Sequence, residues 1–169
     1  MLVRWVAVVI VAILGARDAS AEGGQSSSNR AAAPVAFGLA GIHAHLFYEP
    51  LGKIDERDLV TDKIGLWNTI IGEGDAEAPS STTMVTVDVA GPSFPTGTKG
   101  TISFVAKSEK RLLRRETVKL EEFFSEGSKL SIPFVVVGTG CGTLKIDVEL
   151  SMKGSKSRLS KTLEYPCGE

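Results

Sequence analysis

Four long stretches of this chain place an apolar side chain at every second position. A chain patterned this way buries those side chains as antiparallel strands, with one face on a core and the other in water. Ile42, Ala44, Leu46 and Tyr48 alternate with His43, His45 and Phe47. Thr83, Val85, Val87 and Val89 alternate with Met84, Thr86 and Asp88. Ile102, Phe104 and Ala106 alternate with Thr101, Ser103 and Val105. The cleanest run is Leu144, Ile146, Val148, Leu150 and Met152, set between Lys145, Asp147, Glu149 and Ser151. Shorter candidates are Leu66 to Ile71, Leu112 to Leu120, Leu130 to Val137 and Leu159 to Tyr165. Turn signals separate them, among them Gly72-Glu73-Gly74-Asp75, Gly138-Thr139-Gly140 and Lys153-Gly154-Ser155-Lys156. This spacing predicts an all-β fold: an immunoglobulin-like antiparallel β-sandwich of seven to eight strands. One short helix-like patch, Lys119 to Ser125, reads as a single turn in a crossover loop.

The start of the chain has a different pattern. Arg4 precedes an apolar run from Trp5 to Gly15, and Ala19-Ser20-Ala21 follows. A basic start, a short apolar core and small residues at the cleavage positions predict a cleaved signal peptide over 1–21. The run is too short for the roughly 20 residues that span a bilayer. Residues 22–36 hold Gly, Ser, Asn and Ala with little to bury, and read as a flexible linker. The β-sandwich domain is expected over 37–169. The expectation is an exported protein, periplasmic or secreted, with no membrane span once the signal is removed.

Charge excludes one class of partner. The chain carries a formal charge of −1, and removing Arg4, Arg17 and Asp18 with the signal takes the remainder to −2. Such a balance leaves no electrostatic footprint for nucleic acid.

Two cysteines, Cys141 and Cys167, make an even count in an oxidising compartment and predict a disulfide. The hairpin around them can be drawn from the pattern. A type II′ turn at Gly154-Ser155 would set Leu144 against Tyr165, Ile146 against Leu163 and Leu150 against Leu159. A bulge at Gly142 would then bring the two sulfurs opposite each other.

Candidate chemistry is sparse. His43 and His45, the chain's two histidines, sit at i and i+2 and share one face of a strand. Two imidazoles so placed suit zinc or copper. Leu66-Trp67-Asn68-Thr69-Ile70-Ile71 runs into the acidic, glycine-spaced loop Gly72-Glu73-Gly74-Asp75. This stretch predicts a binding loop built on Trp67, Asn68, Glu73 and Asp75, and Glu73, Asp75 and Glu77 are candidate calcium carboxylates. Trp67 itself reads as core filler against the opposite sheet. Asp55, Glu56, Arg57 and Asp58 read as a solvated loop. Lys107, Lys110, Arg111, Arg114 and Arg115 read as a charged sheet edge that discourages aggregation. No nucleophile elbow, phosphate loop or dinucleotide fingerprint is present.

Three segments carry a resemblance: Leu46-Phe47-Tyr48, the Leu-Trp-Asn-Thr-Ile-Ile-Gly-Glu-Gly run from Leu66 to Gly74, and Cys167-Gly168-Glu169. Together they resemble small bacterial exported proteins of no assigned activity, over most of the chain after residue 21. The resemblance implies a bacterial periplasmic or secreted protein and carries over no catalytic residue. The functional expectation is a non-enzymatic binding or structural module without a cofactor, recognising a protein or cell-envelope component. The alternative is a metal-binding His/carboxylate protein or a small secreted hydrolase. The oligomeric state is left open by the sequence.

Overall fold

The computed structural model describes residues 36–94, 97–109, 111–123 and 127–168. The expected signal peptide and all but the last residue of the expected linker lie outside these residues. Among the described residues eight strands form in chain order: β1 Gly38–Tyr48, β2 Lys53–Ile54, β3 Thr82–Ala90, β4 Gly100–Ser108, β5 Arg111–Lys119, β6 Lys129–Val137, β7 Gly142–Met152 and β8 Ser155–Tyr165. One sheet has the order β2-β1-β3-β6 and the other β5-β4-β7-β8. Every pairing is antiparallel. β1, β3 and β6 against β4, β7 and β8, with β5 appended beside β4, is the strand arrangement of an immunoglobulin-like sandwich.

The alternation does what its period requires. Ile42, Leu46, Val85, Val87, Ile132 and Phe134 of one sheet meet Ile102, Phe104, Ile146, Val148 and Leu150 of the other in a single core. Phe104 of β4 stacks on Phe134 of β6 across the two sheets, with ring centroids 4.3 Å apart. That contact joins the layers near their middle. Leu120 opens a single 3-10 turn, Leu120–Glu122, after β5 and is buried, so the described part of the helix-like patch is one turn on the crossover to β6; Phe124 and Ser125 lie outside the described residues.

Both long sheet edges between β5 and β6 are managed. Arg114 Nη1 donates to the Val135 carbonyl at 2.7 Å, and Arg111 Nη2 donates to the Gly138 carbonyl at 3.1 Å. Pro133 sits inside β6, where it offers no N–H to an incoming strand. Arg111, Arg114 and Arg115 of the basic cluster therefore lie on the β5 edge, and Arg111 and Arg114 reach the backbone of the facing edge, whereas Lys107 sits on β4 between β5 and β7. Lys110 lies outside the described residues.

Two expectations are corrected. The β7–β8 ladder runs without a shift from Gly142↔Tyr165 through Leu144↔Leu163 to Met152↔Ser155. The two loop residues are thus Lys153 and Gly154, not Gly154 and Ser155. Gly154, at φ +80°, occupies the second loop position, whereas a type II′ turn needs positive φ at the first. A two-residue slip keeps every side chain on its own face, so a period-two pattern is blind to it. No bulge is needed at Gly142. The disulfide closes just past the end of the ladder, with Cys141 and Cys167 joined and their Cα atoms 5.5 Å apart.

The second correction concerns 66–71. The segment is not a strand but a turn followed by a single 3-10 turn, Thr69–Ile71. Asn68 and Gly72 flank it in the left-handed region, at φ 45° and φ 79°. Two left-handed residues four apart are incompatible with a continuous strand.

Candidate functional site

The two histidines do share the outward face of β1, but each is committed elsewhere. His43 Nδ1 lies 2.7 Å from Asp58 Oδ2, and its Nε2 lies 3.0 Å from Asp88 Oδ2. Asp88 also takes Lys129 Nζ at 2.7 Å and Ser131 Oγ at 2.6 Å. His45 Nδ1 bonds the Asp55 carbonyl at 3.0 Å. With both ring nitrogens of His43 facing carboxylates, that imidazole has no lone pair aimed at a shared metal. Among the described residues there is no group of three or more His, Cys, Asp or Glu side chains placed to hold a metal ion.

The charged loop after β2 is more ordered than a solvated connection. Asp55 is buried and accepts hydrogen bonds from the Tyr48 hydroxyl and from Arg57 Nε and Nη2. The Arg57 guanidinium holds the Asp55 carboxyl well below the usual carboxylate range, against the opposing cost of burial. Arg57 Nη2 also donates to the Asp75 carbonyl at 2.7 Å, and the Glu77 N–H donates to the Tyr48 hydroxyl at 3.1 Å. This network ties the loop that follows to the end of β1.

That loop forms one pole of the sandwich, beside the disulfide. Here burial inverts the usual preference. Thr69 is fully buried, while Trp67 is 46%, Ile70 45% and Ile71 60% exposed. Trp67 is therefore not core filler. Val137, at the end of β6, is exposed at the same pole. The cause is a set of backbone bonds that fix the turn. Asn68 N–H donates to the Pro166 carbonyl at 2.8 Å, and Gly168 N–H donates back to Asn68 Oδ1 at 2.8 Å. Ser80 N–H donates to the Thr69 carbonyl, and the Thr69 hydroxyl reaches the Gly140 carbonyl. Gly74, at φ +69°, is packed so that a β-carbon would stand 2.4 Å from the Gly65 carbonyl oxygen, so no larger residue fits this turn.

The four residues expected to form a binding loop do come into one structure, in divided roles. Glu73 Oε2 accepts from Asn68 Nδ2 at 2.7 Å, and Asp75 Oδ2 accepts from the Gly65 N–H at 2.7 Å. Glu77 pairs with Lys53 on the surface. The carboxylates thus diverge to separate partners instead of converging on a calcium-sized space. Asn68, Glu73 and Asp75 hold the loop's shape, and Trp67 is what the loop presents. Ile70 and Ile71 were not singled out by sequence reasoning. The available signal was the pair Asn68 and Gly72, residue types that tolerate the left-handed conformation, bracketing Thr-Ile-Ile.

A groove of about 590 Å³ lies elsewhere, on the outer face of β4, β7 and β8. Its charged side chains are engaged within it, Arg158 with Glu149 and Asp147 with Ser160, and Ser103 pairs with Thr117 of β5. No protein-family model matches the chain, and no curated protein matches it.

Proposed function

We propose that this chain is an exported, non-enzymatic binding module that recognises a protein or cell-envelope component through the pole carrying Trp67, Ile70 and Ile71. The observation that carries the reading is the inverted burial: a fold that hides Thr69 completely leaves a tryptophan and two isoleucines in water. Clustered exposed apolar side chains mark interaction surfaces. Tryptophan is enriched among the residues that dominate binding energy. The loop is held in place by Asn68, Gly74 and the disulfide before any partner arrives, which lowers the ordering cost of association.

Export is supported by the N-terminal apolar run with its Ala-Ser-Ala site and by the Cys141–Cys167 disulfide. Among the described residues no helix is long and apolar enough to cross a membrane. The non-enzymatic reading is supported by the commitment of His43 and His45 to internal hydrogen bonds.

The test compares immobilised wild-type chain with a Trp67→Ala/Ile71→Ser variant against an envelope fraction of the producing organism. A component held by the wild type and weakened at least about tenfold by the variant supports the proposal. Equal retention by both, or no retained component, overturns it. Sedimentation of the two proteins alone shows whether the retained component is a second copy of the chain.

A further inference from the structure

The outer edge of β1 is closed by an irregular segment, fastened at one end by Asp55 and in its middle by Asp58. β2 pairs with β1 only at Phe47↔Ile54 and Tyr48↔Lys53. Beyond that the chain from 55 to 62 follows the edge without forming a strand. Asp55 N–H donates to the Leu46 carbonyl at 2.8 Å and Leu59 N–H to the Ala44 carbonyl at 2.7 Å. The Asp58 carboxylate takes the place of a backbone acceptor: its Oδ1 receives the N–H groups of Ala44 and Val60, each at 3.0 Å. An exposed edge of unpaired N–H and C=O groups invites pairing with other chains, and this segment covers it.

The other oxygen of Asp58 is held by His43, whose far nitrogen reaches Asp88 on β3. Ionised carboxylates only accept hydrogen bonds, and a neutral imidazole carries one N–H. A neutral ring would turn a lone pair toward one of the two carboxylates. Only the imidazolium, with two N–H groups, satisfies both ends. We propose that His43 is a proton-dependent clasp: its imidazolium bridges Asp58 of the covering segment to Asp88 of β3, and loss of one proton opens one end and loosens the cover over β1.

The surroundings favour the charged ring. Asp62 Oδ2 accepts the Asp58 N–H and adds negative charge on the segment. Asp88 faces the ring from β3, with Lys129 and Ser131 of β6 bound to it. His45, next on the same face of β1, is bonded to the Asp55 carbonyl. The hydrogen bond to Asp58 raises the His43 pKa above its ordinary value, with desolvation opposing. Asp58 and Asp88 are held below the ordinary carboxylate range by their hydrogen bonds despite burial. The sign follows. A raised histidine contributes stability that is fully present below its unfolded pKa of about 6.5 and is lost as pH rises through the folded value. The cover is therefore fastened at mildly acidic pH and loosened at mildly alkaline pH. This device does not rest on recognition through the Trp67 pole.

The test is nuclear magnetic resonance on the full chain between about pH 5 and 8.5. Ring nitrogen shifts follow His43, and hydrogen exchange corrected for intrinsic rate follows the amides of Ala44 and Leu59. The expected result is a His43 midpoint above the ordinary value, with protection of both amides falling several-fold through that midpoint. His43→Gln should abolish this pH step, while the amide of Val87, inside the β3 ladder, keeps its protection in both proteins. A midpoint at or below the ordinary value, flat protection in the wild type, or the same step in His43→Gln would each overturn the proposal.

Discussion

Gly168 lies so close to Trp67 that a β-carbon on it would stand 2.6 Å from Cζ2 of the indole. The end of the chain thus forms part of the seat on which the exposed tryptophan rests. Gly168→Ala should displace the ring, since real β-carbons do not approach that closely. The atom it meets is the far end of a side chain that rotates, so the stability change should stay below about 1 kcal/mol. The expected result is a clear shift of the Trp67 indole resonance with near-unchanged urea unfolding.

The disulfide holds that same seat. Cys167→Ala removes a cross-link across 26 residues and should lower stability by about 3 kcal/mol in the chain-entropy account. The sandwich core around Phe104 and Phe134 should remain folded. The first protection lost should be that of the Asn68 amide, which depends on the Pro166 carbonyl. Denaturant unfolding with and without reductant, alongside hydrogen exchange, checks both parts.

Tyr48 and Tyr165 are the chain's two tyrosines, and neither should ionise at the ordinary value. Burial pushes the Tyr165 hydroxyl up to about 12, with its hydrogen bond to Thr83 acting against the shift. Burial also raises Tyr48, reinforced by its bond to Asp55. A raised group of this kind contributes stability that is present below its unfolded pKa of about 10 and is lost as pH climbs toward the folded value. For Tyr165 the loss is on the order of 2–3 kcal/mol. Ultraviolet titration should show little tyrosinate at about pH 10 in the native chain, then a steep rise as it unfolds. Half of the signal appearing with a midpoint near 10 would count against this burial.

The sandwich was legible because burial and period two reinforce each other in β1, β3, β4 and β7. Alternate residues there went to the core as their spacing required. The hairpin register was not, because a slip of two residues leaves Leu144 and Leu163 facing inward in either arrangement; the position of Gly154 in the turn decides it. The Trp67 loop was misread for a different reason. Leu-Trp-Asn-Thr-Ile-Ile has the composition of a strand, but its shape is set by partners far along the chain, the Pro166 carbonyl and the Gly168 amide. The roles of the histidines were hidden in the same way: Asp58 and Asp88 lie 15 and 45 residues from His43. No local pattern announces them.

The most direct measurement places a photoactivatable cross-linking residue at Ile71 and, separately, at Lys153 in the producing organism. Ile71 is on the Trp67 pole, and Lys153 is in the β7–β8 turn at the opposite end of the sandwich. Recognition through the Trp67 pole predicts a discrete adduct from position 71 and none from position 153. Adducts from 153 but not 71 would contradict the account.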